Sequence, residues 1–171
     1  MFPRLALVLA LSGLFLAAVP AKAAPVAAPT RPTGRADLVR PLVVTKIQDL
    51  SFGTIIPRSD HLAVVVIDPR TGARSGNATL VASDAGQRGY FEITGTPGHR
   101  VGVDLVWPPE LISENGDRID LFALDLDGPI FRNLHAVTGI RNFGVGGTIE
   151  MAPDQPEGLY TATYEVIVWY N

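Results

Sequence analysis

From residue 40 onward, apolar residues come in short runs, many alternating with polar ones and separated by Gly, Pro, Asn and Asp. That is the texture of strands joined by turns. The pattern predicts strands over Pro41–Ile47, Leu50–Ile56, Leu62–Ile67, Ala78–Ala82, Tyr90–Thr94, Arg100–Trp107, Arg118–Leu126, Phe143–Met151 and Leu159–Tyr170. Turn chemistry lies between them in Asp68-Pro69-Arg70-Thr71-Gly72, Pro97-Gly98, Pro108-Pro109, Asn115-Gly116 and Asp127-Gly128-Pro129. No window carries a helical period of useful length. Regular strands with such turns predict one all-β domain over 40–171, a sandwich or barrel without internal repeats.

The last predicted strand is the most regular. With period two, Tyr160, Ala162, Tyr164, Val166, Val168 and Tyr170 share one face, and the other face is mixed. Its 12 residues would reach roughly 40 Å, about twice the usual strand. Burying the five large side chains of that face is worth on the order of 10 kcal/mol, comparable to the stability of a small domain. The face must therefore be covered, by this chain's own core or by another chain.

The first residues have a different character. Met1–Arg4 is a short basic start, Leu5–Val19 is apolar throughout, and Ala21-Lys22-Ala23 is a small-x-small pattern. Fifteen residues of helix span only about 23 Å, short of the ~30 Å hydrocarbon core, so 1–23 reads as a cleaved signal peptide. The following Ala/Pro/Thr-rich segment 24–39 reads as a flexible linker or N-terminal extension. No later segment is long and apolar enough to span a membrane. Cleavage removes Arg4 and Lys22, so 14 basic residues fall to 12 against 17 acidic ones and the net charge goes from −3 to −5. An acidic exported chain without a basic patch is a poor partner for nucleic acid. With no cysteine, stability must come from packing rather than disulfides.

Candidate chemistry is sparse. His61, His99 and His135 stand apart, and Ser59-Asp60-His61 are consecutive, whereas a triad is assembled from separated segments. Gly144–Thr148, "GVGGT", lacks the third glycine and the βαβ frame of a dinucleotide site and reads as a glycine bend in a strand. These features point away from an enzyme and from a cofactor. Asp117, Asp120, Asp125 and Asp127, with Glu114, gather carboxylates in one span and make a weak calcium candidate. Strand alternation offers a simpler account, with Asp125 and Asp127 solvated opposite Phe122, Leu124 and Leu126. Asn77-Ala78-Thr79 fits a glycosylation acceptor, a pattern that often arises by chance.

Four segments in order, "DLSFGTI" (Asp49–Ile55), "FEITGTPG" (Phe91–Gly98), "VGGTIEM" (Val145–Met151) and "GLYTATYEVIVWYN" (Gly158–Asn171), resemble an uncharacterised family of exported proteobacterial β-domains known only as a domain of unknown function. The last segment also resembles the C-terminal strand of chaperone–usher pilus subunits, with Tyr170 penultimate and Gly158 fourteenth from the end. That resemblance implies an immunoglobulin-like Greek-key sandwich lacking one strand. A periplasmic chaperone, and then the N-terminal extension of another copy, would supply that strand by β-augmentation. It implies strand pairing at Gly158, Tyr160, Tyr164, Val166, Val168 and Tyr170, and places Phe52 and Gly53 in an early core strand with a close-packed bend. The chain lacks the disulfide of most such subunits. Prolines at 25, 29 and 32 make the linker a poor strand to lend. Leu38, Leu42, Val44 and Ile47 mark either the donor or the domain's own first strand.

The expectation is a non-enzymatic, exported protein of the periplasm and then the cell surface. It would be a fimbrial or pilus-type subunit that pairs with its own copies and a chaperone. The alternative is a self-complete secreted β-sandwich that binds a ligand such as a glycan, with Trp107 and Trp169 able to stack on sugar.

Overall fold

The computed structural model describes residues 33–171; the expected signal peptide and residues 24–32 of the linker lie outside the described residues. The chain divides into units Met1–Ala36 and Asp37–Asn171, and all the described strands belong to the second. They are β1 (Val43–Gln48), β2 (Ile55–Ile56), β3 (Ala63–Ile67), β4 (Arg74–Gly76), β5 (Thr79–Leu80), β6 (Gly89–Thr94), β7 (Arg100–Val106), β8 (Glu110–Ser113), β9 (Arg118–Leu126), β10 (Phe131–Asn133), β11 (Ile140–Met151), β12 (Tyr160–Thr161) and β13 (Glu165–Tyr170). Among the described residues there is no helix, and so none long and apolar enough to cross a membrane.

Every ladder is antiparallel. The main sheet runs β1–β6–β11–β9–β8–β12, with β3 also on β11 and β4 on β3; β10–β7–β13 form a second sheet and β2–β5 a ribbon. Alternation supplies the core. Phe91 and Ile93 point inward from β6, Ile119, Leu121 and Leu124 from β9, and Val101, Val103 and Leu105 from β7, all in one buried cluster. Phe91 stacks on Phe143 at 5.4 Å between ring centroids. Two curled antiparallel sheets closing on one apolar core give the layout of a β-sandwich.

β11 is the spine. Its first half pairs with β6 and its second half with β3, and the glycines of "GVGGT" lie at the handover. A Cβ at Gly144 would stand 2.1 Å from the Pro69 carbonyl oxygen and one at Gly146 2.1 Å from that of Ile67. Only glycine lets these backbones approach so closely.

Three expectations change. The strand foreseen over Leu159–Tyr170 is two strands in different sheets, because β12 pairs with β8 and β13 with β7, and the chain crosses between them at 162–164. Leu50–Ile56 is mostly irregular, since Gly53 takes a φ of 70° and regular pairing resumes only at Ile55. Phe122 does not share a face with Leu124 and Leu126. The β9–β11 register slips so that Thr148 faces Ala123 and Ile149 faces Leu121, which leaves Phe122 as a bulge residue 73% exposed.

Candidate assembly groove

β13 carries three of the residues the sequence marks for pairing, Val166, Val168 and Tyr170, while Tyr160 lies in β12 and Gly158 and Tyr164 lie outside the strands. Among the described residues β13 is an edge strand that pairs with β7 alone, with Val166 opposite Leu105, Val168 opposite Val103 and Tyr170 opposite Val101. Its inward side chains Val166, Val168 and Tyr170 pack on the core together with Tyr164, yet each is only partly buried. Beyond Tyr164, away from β13, Leu50, Phe52 and Ile55 are apolar and partly buried in the same way and face residues 155–164. Among the described residues no ladder or backbone hydrogen bond joins residues 49–57 to 155–171.

Between these two rims is a groove of about 730 Å³, walled by Leu50–Ile55 on one side and Gln155–Tyr164 on the other. Its floor is the core itself, with Leu121 and Leu124 of β9 and Ile149 and Met151 of β11. At ~30 Å³ per water the space would hold about two dozen waters against apolar side chains.

The walls are rigidly held from behind. Ser51 and Gln87 exchange backbone bonds of 2.9 and 2.7 Å. Arg74 donates to the carbonyls of Phe52 (2.9 Å), Thr54 (3.0 Å) and Val81 (2.6 Å). A Cβ on Gly53 would stand 2.4 Å from the Asp84 carbonyl oxygen, so the close-packed bend is present although the strand around it is not. On the opposite wall, Tyr160 donates to the Pro156 carbonyl (2.7 Å) and accepts from Gln155 (3.0 Å). Gly158 and Leu159 are exposed at the mouth.

Two further tyrosines fix the ends of the open edge. Tyr164 sits edge-on to Phe91 at 6.2 Å, and its hydroxyl fills the space left where Gly89 has no Cβ. Burial, with a smaller push from the Asp49 charge, raises its pKa to about 12. The Tyr170 hydroxyl accepts from the Thr96 amide (2.8 Å) and donates to the Arg40 carbonyl (2.6 Å), tying the last strand to the segment that leads into β1.

The marked residues of that segment divide. Leu42 packs on the core, whereas Leu38, Val44 and Ile47 are exposed. β1 lies on β6 as the outermost strand of the main sheet, with Val43, Val44 and Ile47 showing considerable apolar surface.

The remaining candidates serve local structure. Asp127 accepts from the Gly144 amide (2.8 Å) and pairs with the buried Arg132 at 2.8 Å, while Asp117 bonds to Ser113. Asp120 and Asp125 point outward, and among the described residues no three such side chains gather as a metal would require. Asp60 pairs with Arg58 (3.1 Å) and contacts His61 (3.0 Å), and the arginine holds its carboxyl down at about 2. The Asn77 side chain accepts from the Val64 amide and donates to the Leu62 carbonyl, so it closes a sheet edge. Trp169 lies over Gly102 near the start of β7, and Trp107 follows the far end of that strand, so the two form no common surface. Sequence reading missed Leu50, Leu111 and Met151 as groove residues. The crossing of the chain between sheets, which creates the groove, leaves no periodic trace.

The structure is thus an all-β sandwich with an apolar slot between residues 50–55 and 155–164. Residues 42–170 match the family model described as a domain of unknown function, DUF4402, and the chain belongs to that family. No curated protein and no solved structure shows significant similarity to it.

Proposed function

We propose that this protein is an exported structural subunit, of the surface-fibre or pilus type, which assembles by β-strand exchange on an immunoglobulin-like frame. The observation that carries this reading is the groove, an apolar slot with half-buried Leu50, Phe52 and Ile55 on one wall and the edge strand β12 on the other. An incoming strand would lie between residues 50–55 and 155–164, with its alternate side chains entering the slot. Each 100 Å² of apolar surface so covered contributes about 2.5 kcal/mol. A periplasmic chaperone would protect the slot before assembly, and another copy would fill it afterwards.

One observation favours the rival reading, a self-complete secreted domain: β1 already occupies its own place on β6. Mass measurement by light scattering on residues 24–171 separates the two. Linear oligomers, with polymerisation abolished by deleting 24–47 and stability restored by a peptide of that sequence, support strand exchange. A compact monomer unaffected by the peptide supports the self-complete domain.

A further inference from the structure

The outer face of the second sheet has a feature that strand exchange does not use. Phe131, Gly102 and Trp169 form one row across β10, β7 and β13. A Cβ at Gly102 would stand 2.4 Å from Trp169 Cε2 and Cζ2 and 2.9 Å from Nε1. The indole therefore lies over the bare β7 backbone, and the residue as a whole stays 37% exposed. Phe131 stands nearly perpendicular to it, at 85° and 6.3 Å, as a wall beside a floor. The Arg100 guanidinium is fixed over Phe131 at 4.9 Å from the ring centroid. Asn133 is paired with Arg100 in the next row, and Asp104 faces Ile167 one row the other way. Arg100, Asp104 and Asn133 are all exposed.

The geometry points to a saccharide-binding platform centred on Trp169, for an uncharged pyranose. A flat aromatic face carries negative quadrupole density and attracts the weakly positive C–H face of a sugar ring. The guanidinium and the Asn133 amide offer donors to ring hydroxyls, and Asp104 offers an acceptor. Other occupants fit less well. An extended peptide would seek the open β13 edge rather than this face. Nucleic acid would meet the carboxylates of Asp104 and Glu165 with only Arg100 to oppose them, on a chain of net charge −3.

The test is calorimetry and tryptophan fluorescence on residues 24–171 with three neutral probes, cellotetraose, maltotetraose and chitotetraose. Saturable binding of at least one in the millimolar range or tighter is expected. Trp169→Ala should weaken it at least tenfold and Arg100→Ala severalfold, with Trp107→Ala unchanged. Phe131→Leu, which keeps the apolar volume, guards against loss of fold and should weaken binding while circular dichroism and melting stay native. No binding of any probe at 10-fold higher concentration, or binding indifferent to Trp169 and Phe131, overturns the proposal. So does a change of oligomeric mass in Trp169→Ala with no change in sugar binding, which would make this face an interface between copies. Sugar binding and assembly are read separately, so either can fail alone.

Discussion

Among single residues, Asp127 and Tyr164 carry the sharpest consequences. The Arg132 side chain is 3% exposed and depends on Asp127 for its charge partner, with one further guanidinium nitrogen left without a bond. Removing one member of such a pair strands a buried charge. Asp127→Ala should cost about 3–5 kcal/mol in urea unfolding, whereas Asp120→Ala and Asp125→Ala should stay within about 0.5 kcal/mol. A calcium cluster would instead make all three costly and chelator-sensitive. The sequence showed these carboxylates as one run, because spacing does not reveal which of them Arg132, Ser113 or the Gly144 amide will bond. Tyr164 gives a pH signature. Its folded-state pKa of about 12 lies above the unfolded value, so its contribution is intact below pH 10 and is lost as pH rises from 10 to 12. Two pH units would correspond to about 2–3 kcal/mol for a fully buried group, and solvent screening of this part-exposed ring brings the effect below that. Absorbance at 295 nm should show one late-ionising tyrosine that disappears in Tyr164→Phe; a titration unchanged by that substitution would remove the argument.

For whole elements, the alternating strands were legible and the irregular ones were not. β3, β6, β7 and β9 follow the apolar pattern within a residue at their ends, and alternation and burial agree throughout β3 and β6 and over most of β7 and β9. β4 (RSG) and β10 (FRN) have almost no apolar content and exist because a neighbour presents a ladder, so no local pattern could reveal them. The terminal pattern was legible as a face but not as a break. The period of two continues through 162–164 while hydrogen bonding passes from one sheet to the other. The parity slip at Phe122 was hidden for the same reason, since a bulge adds one residue without changing composition. Phe122→Ser should therefore leave stability within about 0.5 kcal/mol. Tyr170→Phe should cost about 1–2 kcal/mol, because it leaves the Arg40 carbonyl and Thr96 amide without their shared hydroxyl. Hydrogen exchange should then quicken at the start of β1 before it does in β11, and uniform acceleration would mean that no local clasp exists.

At the scale of the molecule, assembly has to be separable from folding if the groove serves a second chain. Core residues cannot make that separation, because Leu121, Leu124, Ile149 and Met151 line the slot and also hold the sandwich together. Leu159 can make it. It lines the groove yet is 75% exposed, so its side chain contributes little to the isolated fold. An aspartate there would place a charge where an incoming apolar strand must seat, and desolvating that charge opposes docking strongly. Leu159→Asp should keep its melting temperature within about 2 °C of the parent, since surface changes rarely exceed ±0.5 kcal/mol, while losing oligomers in light scattering. Val137→Asp is the matched control, being 79% exposed and away from the groove, and it should assemble normally. Equal assembly by both variants would mean that the slot is not where copies meet. Equal loss would mean that surface charge alone governs association. Only the split result ties polymerisation to a strand entering the groove at Leu159, and it does so without disturbing the core on which the groove is built.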